Sequence, residues 1–275
     1  MRAVTAAGLL VLCLAVPAAA QTEAPAQKSA DAGGLLLRGN PQQALALFTE
    51  ALKDPALAND RRASLLNDRG VAYLRLGQHR LAIEDFNRAA QLYPEHAPIY
   101  NNRGNTLLAL GLAREASKDF DRAILLAPGY ATAYNNRAAA SLQLGQTAEA
   151  IRDFSKAIEL MPASAAPLSG RGRAFLSQDR PYAAMRDFSR ALQTDARFSG
   201  GYRARAEAKL AVERYEDAVE DLSRAAAFEP GNAEILVLRG SAYLMSRNAA
   251  SAIKDFTRAI ELEPRSVAAF LGRGL

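Results

Sequence analysis

Residues 97–128 read APIYNNRGNTLLALGLAREASKDFDRAILLAP. Two helical patterns lie on either side of Gly111, and Pro128 closes the stretch. The same sentence recurs every 34 residues from Ala63 to Pro264, and a fixed period of that size decides the fold before any local reading. Stepping from Ala82 gives Ala116, Ala150, Ala184, Ala218 and Ala252; stepping from Ala89 gives Ala123, Ala157, Ala191, Ala225 and Ala259. Phe86 leads to Phe120, Phe154, Phe188, Leu222 and Phe256, and Pro94 to Pro128, Pro162, Ala196, Pro230 and Pro264. The six copies keep phase without an insertion or deletion.

Helix packing accounts for these choices. Alanines seven residues apart lie close to one face of the second helix, where a small side chain admits the first helix. The aromatic between them fills the remaining space. The proline follows because it cannot continue a helix. Gly70, Gly104, Gly172 and Gly240, with Ala138 and Ala206 in phase, stand inside the first helix. Glycine there costs about 1 kcal/mol against alanine, so its recurrence predicts close helix contact.

The pattern resembles the tetratricopeptide repeat. That signature reads Trp-x2-Leu-Gly-x2-Tyr, then Ala-x3-Phe, then Pro, at a period of 34. Tyr100, Arg103, Gly104, Leu107, Ala116, Phe120 and Pro128 stand in those places. The resemblance covers roughly residues 35–275. There are two departures. The tryptophan place holds Leu66, Tyr100, Tyr134, Leu168, Tyr202 and Leu236, and the leucine place holds arginine every time. The resemblance implies an all-α fold, a right-handed superhelical solenoid of antiparallel helix pairs with a 34-residue period.

The rest of the chain divides around these repeats. Residues 1–20 read as a secretory signal, with Arg2, a short apolar run over residues 8–16, and Ala18, Ala19 and Ala20 as the cleavage site. The run is too short to span a bilayer, so no transmembrane segment is expected in the mature chain. Residues 21–34 read as a flexible leader of low hydrophobicity. A degenerate repeat is expected over residues 35–62, with Asn40 as N-cap, Pro41 as first helical residue, and Ala44, Phe48 and Ala51 in the second-helix places. Six full repeats occupy residues 63–266, and a partial seventh, or terminal helix, occupies 267–275. There, Val267, Phe270 and Leu271 are expected to pack on the sixth repeat. Three readings stand for this end: a poor cap, a sequence that continues, or an edge that pairs with another molecule.

Composition excludes several functions. A net charge of +5 is mild and its arginines are spread by the repeat, with no basic stripe and no stacking aromatics, so no nucleic-acid partner is expected. Cys13 is the sole cysteine and lies in the signal, which leaves the mature chain no disulfide or thiolate chemistry. His79 and His96 are isolated near helix ends, and no metal or cofactor is expected. Ser251 and Lys254 match Ser-x-x-Lys, but no companion motif accompanies them and they fall at ordinary repeat positions. No catalytic residue is assigned, and the chain is read as a non-enzyme.

Two polar series remain. Arg69, Arg103, Arg137, Arg171, Arg205, Arg239 and Arg273 run in phase with Asp85, Asp119, Asp153, Asp187, Asp221 and Asp255. Guanidinium and carboxylate suit bidentate pairing, so the series is read as an internal ladder rather than a basic track for a ligand. The second series is Asn67, Asn101, Asn102, Asn105, Asn135 and Asn136. By the resemblance, these places face the concave groove. Amides suit an extended peptide backbone, and they also suit hydrogen bonds that order neighbouring helices. The binding reading is taken. The expectation is thus a periplasmic or secreted scaffold or adaptor that binds a protein or extended peptide in an envelope process. The alternative is an accessory subunit that docks a membrane or cell-wall enzyme.

Overall fold

The structure is a computed structural model. It describes the backbone of residues 23–274 and the side chains of residues 30–274, so the secretory signal expected over residues 1–20 lies outside the described residues. Among these residues there are fifteen helices and no strand. The chain forms two compact units that divide after Leu160.

The first unit holds α1 (Glu23–Leu37), α2 (Pro41–Ala51), α3 (Asn59–Arg75), α4 (His79–Leu92), α5 (Ala97–Ala109), α6 (Ala113–Leu126), α7 (Ala131–Gln143) and α8 (Thr147–Leu160). They pack as pairs, α1 with α2 through α7 with α8. Each second helix also meets the next first helix, and α3, α5 and α7 touch in series. The second unit holds α9 (Ala165–Leu176), α10 (Pro181–Thr194), α11 (Ser199–Leu210), α12 (Tyr215–Phe228), α13 (Ala233–Met245), α14 (Ala249–Leu262) and α15 (Val267–Gly274). It repeats the same pairing. The first helix of each pair is called A below and the second B. The all-α solenoid of paired helices is therefore the fold.

The core follows the register. Ala82, Ala89, Ala116, Ala123, Phe86 and Phe120 are fully buried, as are Ala184, Ala191 and Phe188 in the second unit. The helix-A glycines face these rings. A Cβ at Gly70, Gly104, Gly172 or Gly240 would stand 2.7–2.9 Å from the ring of Phe86, Phe120, Phe188 or Phe256. In these four repeats the ring thus lies against bare helix backbone, whereas in the third Ala138 packs with Phe154.

The A–B turns share one closure. The amide after the turn residue donates back five residues, Leu112 to the Leu107 carbonyl (2.9 Å) and Arg214 to the Lys209 carbonyl (2.9 Å). That closure needs a left-handed residue. Gly77, Gly111 and Gly145 supply it in the first unit, whereas Asp179, Glu213 and Arg247 adopt φ of 55°, 61° and 61° in the second. Left-handed backbone costs a residue with Cβ roughly 1–2 kcal/mol. Glycine returns about 0.4–1 kcal/mol of that as extra freedom of the unfolded chain. Glu213→Gly and Arg247→Gly are therefore each expected to stabilise the protein by roughly 0.5–1 kcal/mol. Denaturant unfolding of the single variants measures this, and a loss of stability would refute the strain.

Three expectations need correction. The leader over 21–34 is not a free segment, because α1 begins at Glu23 and runs through it. Ala32 and Leu36, one helical turn apart, are fully buried, so two well-placed apolar residues anchor a segment whose mean composition reads as polar. Asn40 does precede α2, with Pro41 at its first position, but its side chain makes no capping bond. Val267, Phe270 and Leu271 do not pack on the sixth repeat, being 69%, 46% and 66% exposed. Ala269 is the buried residue of α15, and Gly272 lies against the Phe256 ring.

Candidate functional site

The arginine series is built into the repeat. Nε and Nη2 of Arg103 donate to the two carboxylate oxygens of Asp119 at 2.7 and 2.6 Å. Arg69 pairs in the same bidentate way with Asp85, Arg137 with Asp153, Arg171 with Asp187, Arg205 with Asp221 and Arg239 with Asp255. Each pair joins helix A to helix B of one repeat. The remaining Nη1 reaches the preceding repeat: Arg103 to Asn87 (2.8 Å), Arg137 to Asp121 (2.7 Å), Arg205 to Ser189 (3.0 Å) and Arg239 to Ser223 (3.3 Å). One guanidinium thus holds three helices. The hydrogen bond to its aspartate raises the Arg69, Arg103, Arg137, Arg205 and Arg239 guanidinium above its ordinary range, so these side chains stay charged.

Each ladder arginine also lies over an aromatic ring. Where the tryptophan place holds tyrosine, that ring is used: Tyr100 under Arg103 (5.5 Å), Tyr134 under Arg137 (5.6 Å) and Tyr202 under Arg205 (5.8 Å). Where it holds leucine, the ring comes from seven residues later: Tyr73 under Arg69 (5.7 Å), Phe175 under Arg171 (5.7 Å) and Tyr243 under Arg239 (6.0 Å). The two places exchange the aromatic from repeat to repeat. Sequence reasoning misses this because it reads each column alone; comparing the two columns across the copies would have found it.

The asparagines form a different structure from the one the sequence suggests. Nδ2 of Asn135 donates to Asn136 (3.2 Å), Asn136 to Asn101 (3.0 Å), Asn101 to Asn102 (3.3 Å), Asn102 to Asn67 (3.0 Å), and Asn67 to the Asp68 carboxylate (3.1 Å). This is one continuous chain of amides along α7, α5 and α3. Asn67, Asn101 and Asn102 are fully buried and Asn136 is 3% exposed. These four are closed to a peptide, and their assignment as its contacts is withdrawn. Asn135 is half-buried at the end of the chain, and Asn105 is half-buried outside it. The physical reason is the close approach of neighbouring A helices, which covers side chains that a single helix would leave open.

In the second unit the corresponding face is different. Arg203 of α11 pairs with Glu207 one turn on (3.7 Å) and with Glu234 of α13 (2.7 Å). Arg173 of α9 also acts on Glu207. Loss of water around Glu207 raises its carboxyl above the usual range, against the pull of Arg203 and Arg173. Arg203, Arg173, Glu207 and Glu234 are thus charged groups on three successive A helices. The two histidines stay apart. His96 stacks on Tyr93 (5.2 Å) and burial lowers its pKa. No group of three or more metal-ligating side chains occurs among the described residues, and no described helix is long and apolar enough to cross a membrane.

Known proteins share this architecture. Tetratricopeptide repeat family profiles match residues 63–96 and 131–164, residues 97–130 and residues 203–267. No curated protein sequence matches the chain. Among solved structures, the chain is similar to YrrB, described as a TPR protein with an unusual peptide-binding site. The TM-score is 0.59 at 21% identity, over 70% of this chain and 100% of that one. It is similar to PilF of Pseudomonas aeruginosa, with a TM-score of 0.71 at 17% identity, over 79% of this chain and 99% of that one. A tetratricopeptide repeat protein of Parabacteroides merdae gives 0.65 at 20% identity, over 92% and 98%.

Proposed function

Because this chain belongs to the tetratricopeptide repeat family, we propose that it is an exported, non-catalytic scaffold that binds a protein or an extended peptide along the face of its A helices. One observation carries this reading. Positions that build the repeat are nearly invariant within the chain, while positions on the A-helix face of the second unit change from copy to copy. Ser169, Arg203 and Val237 occupy one such place, and Arg173, Glu207 and Ser241 another. A face serving only the scaffold would be repeated like the scaffold. The partly desolvated Glu207 and the bridging Arg203 offer charges that can exchange an internal partner for a ligand's. The peptide site of YrrB lends support by kinship of fold. Arg2, the apolar run and the alanines at 18–20 support export to a periplasm or medium, and with it a role in an envelope process.

The test uses the full chain as bait in envelope extract, followed by calorimetry with the recovered partner. Arg203→Ala is expected to weaken that complex about tenfold, the loss of one charge-assisted hydrogen bond. Circular dichroism controls for folding. A well-folded variant with unchanged affinity would refute the assignment of this face.

A further inference from the structure

A pocket of about 460 Å³ opens between α2, α3 and α4, within the ~300–1,000 Å³ range of small-ligand sites. Its lining includes Leu66, Leu92, Lys53, Arg62, Arg69 and Arg88 and no acidic residue. The other repeats show what this space is for. In the second full repeat, the guanidinium groups of Arg103 (5.5 Å) and Arg122 (5.8 Å) both lie over the Tyr100 ring. In the fifth, Arg205 (5.8 Å) and Arg224 (5.8 Å) both lie near the Tyr202 ring, which also stacks on Phe228 (6.1 Å). Arg69 and Arg88 occupy those two places in the first repeat, but the tyrosine place holds Leu66. Both arginine places are filled while the ring place is not, and the ring that Arg69 does meet is Tyr73 (5.7 Å), seven residues on.

The charges here are unevenly used. Arg69 is committed to Asp85, and Arg62 donates to the carbonyls of Leu52 (3.0 Å) and Asp54 (2.7 Å). Lys53 meets Glu50 at the surface. Arg88 makes no hydrogen bond or ion pair with a described residue. The fourth and sixth repeats also have leucine at the tyrosine place; in the sixth Glu261 occupies Arg258 (2.6 Å), whereas in the fourth Arg190 and Gln193 stand at the places of Arg88 and Gln91. Gln91 stands at the place of Glu261 in the first repeat and brings no charge.

We propose that this pocket binds an aromatic ring carrying a carboxylate, with the ring in the slot left by Leu66 and the carboxylate on Arg88. Ring and guanidinium attract through the ring's quadrupole, and the carboxylate answers Arg88, whose charge no described carboxylate meets. The carboxylate comes either from the C-terminal aromatic residue of a peptide or from a free aromatic acid. The pocket shares no residue with Arg203 and its partners, so this proposal and the reading of the A-helix face fail separately.

Titration calorimetry of the full chain tests it with three probes. N-acetylphenylalanine is expected to bind, and both its amide and hexanoate to bind at least about tenfold more weakly. Leu66→Tyr fills the slot from within, as Tyr100 does, and is expected to abolish binding while thermal stability is kept. Arg88→Gln is expected to weaken binding about tenfold or more; its side chain is exposed, so the fold is not at stake. A short glycine peptide ending in phenylalanine separates the sources. Affinity equal to or above that of N-acetylphenylalanine points to a protein C-terminus, and a much weaker one to a free acid. Absence of binding, equal binding of hexanoate, or indifference to Leu66→Tyr would overturn the proposal.

Discussion

Replacing Phe120 by alanine is expected to lower the unfolding free energy by ~3–5 kcal/mol, the cost of truncating a fully buried aromatic. The ring is 0% exposed and packs with Leu108, Ala113, Ala116 and Ala140. Three of these neighbours are alanines, and Gly104 faces the ring with bare backbone, so little side chain is at hand to fill the void. The same geometry makes a double-mutant cycle informative. Gly104→Ala alone drives a Cβ to 2.8 Å from the ring and is expected to destabilise. In the Phe120→Ala background that clash is gone, and alanine gains about 1 kcal/mol of helix preference over glycine. Gly104→Ala should therefore change sign between the two backgrounds. Chemical denaturation of the four proteins measures it. An unchanged midpoint for Phe120→Ala would mean that the aromatic column is not the core.

The second large effect lies in the ladder. Asp119→Ala is expected to cost about 3 kcal/mol, near the lower end for a broken buried pair. It leaves two guanidinium donors of Arg103 without their acceptor, in a side chain that is 23% exposed and still bonded to Asn87. Asp121→Ala provides the contrast. That carboxylate also meets a ladder arginine, Arg137, at 2.7 Å, but it is 58% exposed. Surface pairs of this kind contribute ~0–1 kcal/mol. Equal losses from the two variants, measured by the same denaturation, would show that burial does not set the value of these pairs.

The period made most of the fold legible. Alanine, phenylalanine and proline columns are dictated by contacts inside one helix pair, and a sequence displays such contacts at fixed offsets. The partner of Arg103 was legible for the same reason, since Asp119 always follows at sixteen residues. What lay between repeats was harder to read. Asn102 looks like a surface amide on its own helix, and only the approach of α3 turns it inward to Asn67. Its burial is a property of two helices 35 residues apart. The slot beside Leu66 was hidden for a related reason. It lies where a tyrosine present in three copies is leucine, as it is in two others, and a column read for what it shares does not register what some members lack.

The joints between copies carry a consequence for how such a chain can change over generations. Asn136 meets Asn101 as Asn102 meets Asn67, with the same bond at the same 3.0 Å. Arg137 reaches Asp121 as Arg103 reaches Asn87. Were residues 97–130 deleted as a block, Asn136 would come against Asn67 and Arg137 against Asn87, and each could form the bond its predecessor made. Duplication of the block would be accommodated in the same way. A loss of one residue more or fewer would instead turn the side chains after the cut by about 100° on the interrupted helix and open the joint at the cut, while joints further along keep their spacing. Whole steps of 34 residues, as unequal exchange between copies would supply, are therefore the changes of length that leave every joint closed.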